Sequence, residues 1–163
     1  MGVTGIIDRD STVRDRTVEQ GMEVEIIASQ EQCGSEILFY GIGVLQPGAN
    51  TGLHVHDDIE IAWFMLEGET FCVMGSLDEA DYAVEECRKN SAGYVAPGEL
   101  HLQVNRSSSE PAVILMAYVG TNSAQGARGR SVEMPDELRA LLDDRRIDLS
   151  SSNTTENEQR SVT

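Results

Sequence analysis

The stretch GANTGLHVHDDIE, residues 48–60, decides how this chain is read. It follows the turn-forming Pro47 and places His54 and His56 two residues apart. Side chains two apart on a strand point to one face, so both imidazoles can reach one metal ion. Glu60 stands four residues beyond His56, at the head of an apolar run ending at Leu66. The chain has 3 histidines, and the third, His101, follows a second turn at Pro97-Gly98. Three imidazoles and one carboxylate suit Fe(II), Mn(II), Ni(II), Co(II) or Zn(II).

Working outward, the chain from about residue 17 to 120 breaks into short strand-like segments. They cover residues 18–28, 37–45, 59–66, 70–74, 82–85, 93–96, 100–104 and 112–119, separated by Gly, Pro and Asn turns. Short strands between such turns predict an antiparallel sandwich or barrel, not a parallel α/β sheet. One helix is expected after Pro135: Asp136 and Glu137 suit its first turn, and Arg145 and Arg146 its last. Leu138, Leu141 and Leu142 fall on one face of it. The organisation is therefore an arm over residues 1–16, a barrel over 17–120, a loop plus helix over 121–148, and a polar, disordered tail over 149–163.

The segment from Gly48 through His54, His56 and Glu60 to Gly68 resembles the first sequence motif of the cupin superfamily, G-x5-H-x-H-x3/4-E-x6-G. The segment GYVAPGELHLQVN, residues 93–105, resembles the second, which ends in H-x3-N at His101 and Asn105. The resemblance implies an all-β fold, the double-stranded β-helix or jelly-roll barrel, here followed by one C-terminal helix. It implies one divalent metal per chain held by His54, His56, His101 and Glu60. The match has departures. Seven residues rather than six separate Glu60 from Gly68, Ala96 stands where the second motif has proline, and Asn90 where it has its first glycine. Counting back from Gly68, the ligand position is Ile61. Two arrangements follow, because a one-residue slip reverses every side chain of a strand. With Glu60 inward it is a ligand, and also a candidate catalytic base, and Ala62, Phe64 and Leu66 face the interior. With Glu60 outward the site is three-histidine, and Ile61, Trp63 and Met65 face in. The three-residue gap after His56 favours Glu60 as a ligand. Gln103 shares a strand face with His101 and is a candidate pocket residue, as are Trp63, Phe64 and Tyr94.

Composition narrows the partners. The 12 Lys plus Arg against 28 Asp plus Glu give a net charge of -16. Nucleic-acid binding needs a basic face, and an anionic membrane repels such a chain. No apolar run is long enough to span a bilayer. The one lysine, Lys89, among the 12 basic residues fits a salt-adapted surface, and equally an ordinary acidic protein from an arginine-rich proteome. Cys33, Cys72 and Cys87 show no C-x-x-C spacing, and the N-terminus lacks the apolar core of a secretory signal; a reducing cytoplasm is the expected location. The resemblance implies a small-molecule substrate or ligand and a homodimer paired through edge strands and the N-terminal segment. Among the family's reaction classes a dioxygenase-like oxidoreductase is favoured; a non-redox lyase, decarboxylase or isomerase, and a non-catalytic binding protein, are the alternatives.

Overall fold

The structure is a computed structural model that describes residues 5–149. The expected polar tail beyond Leu149 lies outside those residues. Two antiparallel sheets face each other. The six-stranded sheet runs β1 (Val13–Asp15), β2 (Met22–Ala28), β3 (Leu38–Leu45), β10 (Ala112–Val119), β5 (Glu60–Glu67), β8 (Ala92–Val95). The five-stranded sheet runs β11 (Arg130–Ser131), β4 (His54–Val55), β9 (Leu100–Val104), β6 (Glu69–Ser76), β7 (Asp81–Arg88). A short helix, α1 (Gln30–Cys33), lies between β2 and β3, and α2 (Asp136–Asp144) follows β11.

The strict alternation of β3 and β10 fixes which side of the first sheet is interior. Phe39 and Leu45 of β3, and Ala112, Ile114, Met116 and Tyr118 of β10, are buried, while their neighbours are half-buried or exposed. Side chains from both sheets, such as Cys72, Met65 and Val24, complete this core. A second cluster joins Val55, Val73, Leu100 and Leu102 to Leu138 and Leu142 of α2. The helix thus docks its leucine face on the outer side of the five-stranded sheet, as its spacing predicts. Arg145 and Arg146 fall just beyond its last turn, with Arg146 in the left-handed region (φ 56°).

The motif asparagine is structural. Asn105 is buried at the end of β9, where its Nδ2 donates to the carbonyls of Leu45 (3.0 Å) and Glu110 (2.9 Å). Its Oδ1 accepts from the Ser107 amide at 2.9 Å. One side chain therefore ties the turn after β9 to the end of β3.

Candidate metal centre

Local strand geometry assembles the three imidazoles. His54 and His101 are directly opposed in the β4–β9 pair, and His56 lies one alternation beyond His54. All three are buried, and one ring nitrogen from each lies within 4.8 Å of the others. Ring centroids are 4.2 Å apart for His54–His101 and 5.0 Å for His54–His56. The His54 Nδ1 lies 2.9 Å from the Gly52 carbonyl, and His101 Nδ1 lies 3.2 Å from the Glu99 carbonyl. A carbonyl only accepts, so each Nδ1 carries a proton and Nε2 is the nitrogen left to ligate when the ring is neutral. A β-carbon on Gly129 would collide with the His54 ring, so the loop before β11 reaches the site only because glycine stands there.

These residues fit a divalent cation. The His54 Nε2 and both ring nitrogens of His56 are buried and make no hydrogen bond. Buried polar atoms are nearly always satisfied, so unpaired nitrogens on His54 and His56, beside the third imidazole of His101, mark a donor set that lacks its acceptor. Burial, reinforced by neighbouring His54, pushes His101 down to about 3, so it is neutral and able to ligate near pH 7. Burial opposes charge on His54, but the Glu19 carboxylate outweighs it and moves His54 above its ordinary value.

Glu19 was not legible as a site residue. It lies in the bend ahead of β2, in a segment the spacing predicts to be strand, and is only 6 % exposed. Its Oε2 lies 3.1 Å from His54 Nε2 and its Oε1 lies 3.6 Å from His56 Nε2. Burial works against its charge, yet His54 and His56 hold it well below the usual carboxylate range. The Tyr118 hydroxyl donates to Glu19 Oε1 at 2.7 Å, and burial together with that carboxylate raises the phenol.

Glu60, favoured by the motif spacing, is corrected: it heads β5 on the exposed face and stands outside the histidine cluster. Alternation is unbroken from Glu60 to Met65, with Ile61, Trp63 and Met65 buried. The extra residue of the motif is absorbed later, where Val113 pairs with Glu67 and Ile114 with Met65, leaving Leu66 over. The same alternation sends Phe64 (37 % exposed) to the outer face, and Tyr94 (57 % exposed) lies there beside Ala62, so neither lines the pocket. Trp63 and Gln103 do. With Glu19, Met22, Ile61 and Met116 they border a cavity of about 30 Å³ that reaches His54 and His101. That is room for about one water molecule.

No protein-family model matches the chain, and no curated protein matches its sequence. Solved structures do. The polyketide cyclase RemF from Streptomyces resistomycificus superposes with a TM-score of 0.63 at 17 % identity, over 86 % of this chain and 94 % of that one. A Klebsiella pneumoniae protein with a double-stranded β-helix domain gives 0.58 at 18 % identity, over 81 % of this chain and 100 % of that one. This chain has the cupin fold. Oxalate decarboxylase from Bacillus subtilis, a protein with Mn(II) centres, gives 0.62 at 18 % identity over 97 % of this cupin and 42 % of its own chain. This cupin thus spans about two fifths of that enzyme.

Proposed function

We propose that this cupin binds one divalent metal ion through His54, His56 and His101 and acts on a small oxygenated organic molecule as a dioxygenase-like oxidoreductase. The observation that carries the reading is the convergence of three buried imidazoles, two of them with unsatisfied nitrogens, beside a cavity that His54 and His101 line. A divalent ion supplies Lewis acidity and open coordination positions for a diol, enolate or keto acid and, if it is iron, reactivity towards O2. The residues around it do the rest. Ile61, Trp63 and Met116 exclude water. The Gln103 Oε1 is buried without a partner and accepts from a substrate hydroxyl. Its backbone is fixed by a 3.0 Å bond from its amide to Thr51 Oγ1. Cys72 also lines the cavity but stands outside the histidine cluster, and its hydrogen bond with Cys87 and its burial raise its pKa. The free thiols of Cys33, Cys72 and Cys87 favour a reducing compartment. Iron-loaded protein is expected to consume O2 with at least one member of a panel of diols, diketones and flavonols. No uptake with any of them overturns the oxidative reading. A non-oxidative product would select the second reading, a lyase or isomerase, which the Glu19–Tyr118 pair at the cavity favours as a buried proton-handling couple.

We infer a homodimer, built on the outer face of the six-stranded sheet rather than on edge strands. Ile42, Leu115 and Phe64 sit side by side at its centre, flanked by Tyr40, Val44 and Tyr94. Four strands about 4.8 Å apart and about 25 Å long give a projected face of about 500 Å². That lies in the upper part of the range of the largest apolar patch on a monomer, about 300–600 Å², and is a good part of one partner's share of a standard interface. On a chain of net charge -16 this face carries the carboxylates Glu23 and Glu25, beside Val44 and Ile42, and both are paired with arginines, Glu25 with Arg9 and Glu23 with Arg14 and Arg16. Sedimentation equilibrium is expected to give a dimer for the wild type and a folded monomer for Phe64→Glu. A monomeric wild type overturns the assembly.

A further inference from the structure

We propose that Glu19 is the carboxylate ligand of the metal centre, delivered from the N-terminal bend instead of from the strand that follows the histidine pair. The proposal rests on the metal-binding reading above. On β5 the inward position nearest the site is Ile61, which has no donor atom, while Glu60 faces solvent. Glu19 fills the gap. Its two oxygens already lie 3.1 and 3.6 Å from the ligating nitrogens of His54 and His56. A buried carboxylate is costly unless a cation compensates it. The groups that face it are two imidazoles and the Tyr118 hydroxyl, which donates to Glu19 Oε1 at 2.7 Å.

The bend is held for this task. Val18 is buried next to Glu19. Gly21 has φ +69° and sits so close to Asn50 that a β-carbon would strike its carbonyl oxygen. Arg128 reaches across to the Thr17 hydroxyl. The backbone on both sides of Glu19 is therefore held, by the segment leading to His54 on one side and by the loop before β11 on the other, and the carboxylate enters the site without strand pairing.

The test compares wild type, Glu19→Gln and Glu60→Gln by titration with Co(II) alone, following affinity and the visible ligand-field spectrum. Glu19→Gln is expected to bind about 100-fold more weakly with a shifted spectrum, and Glu60→Gln to match the wild type. Unchanged affinity and spectrum in Glu19→Gln, with normal wild-type binding, overturn the role of Glu19 alone. A wild type that binds no Co(II) overturns the metal-binding reading and this proposal together. A metal-bound crystal structure of the wild type guards against a variant that fails to fold. A Glu19 oxygen at about 2.0–2.2 Å from the ion supports the assignment, and one beyond direct contact overturns it.

Discussion

Replacing His101 with alanine is expected to abolish stabilisation of the protein by metal. A ligand that binds only the folded state stabilises it by about 2.7 kcal/mol at one hundred times its dissociation constant. For a domain of this size that raises the melting temperature by roughly 5–10 °C. Removing one of three imidazoles should weaken binding by at least about 100-fold, enough to erase the shift at the same metal concentration. The metal-free proteins should diverge in the opposite sense in acid. In the folded chain His101 is held down to about 3, whereas in the unfolded chain it takes a proton near its ordinary value of 6.5. The unfolded state therefore binds more protons below about pH 6.5. This histidine costs stability progressively as pH falls from there towards 3, at up to about 1.4 kcal/mol per pH unit. His101→Ala lacks that liability, so the metal-free variant should gain stability relative to the wild type between pH 7.5 and pH 5. Melting scans with and without Zn(II) at those two pH values check both halves. A variant that keeps the full metal shift would contradict the assignment of His101.

Asn105→Ala is expected to be the most damaging change that leaves the metal ligands intact. The side chain satisfies two carbonyls and one amide, and it is buried. Alanine removes three hydrogen bonds at about 1 kcal/mol each and strands their partners. A loss of about 3 kcal/mol follows, or roughly 6–12 °C in melting temperature. Metal affinity of the folded fraction should stay within a few-fold of wild type, because Asn105 binds backbone and touches none of the imidazoles. A chemical denaturation series checks the first statement and a Zn(II) titration the second.

The contrast between these two residues shows which parts of the site were legible in sequence. His54, His56 and His101 were readable because strand alternation ties spacing to direction, and the residues after each Pro-containing turn fall in register with the opposite strand. Asn105 was readable as a motif position, though nothing in its spacing says that it binds backbone. Glu60 misled because the extra residue of the first motif could be absorbed on either side of it. The structure places that slip at Leu66, six strand positions on, where no turn residue marks it. The error carried Phe64 with it, since one slip turns the whole strand over. Glu19 was invisible for another reason. It enters from a bend whose conformation depends on contacts with Asn50, Gly52 and Arg128, distant in sequence, and its own neighbours Thr17 and Val18 read as the start of a strand.

The fold divides along similar lines. Eight segments with clear apolar runs became strands within a few residues of their expected limits. The strands that escaped notice, β1 and β11, have three and two residues, too short to show a period. They carry Val13–Asp15 and Arg130–Ser131 into the sheets from the expected arm and loop. Helix α1 has four residues and is set by its ends: the Ser29 hydroxyl accepts from the Gln32 amide, and Gly34 closes it with φ 72°.

The central claim is that three imidazoles share one metal ion. X-ray absorption on the full chain loaded with Zn(II) tests it most directly. One tightly held ion per chain, with three histidine nitrogens at about 2.0–2.1 Å, is the expected result. A chain that holds no stoichiometric zinc, or whose bound zinc lacks imidazole scattering, would contradict it.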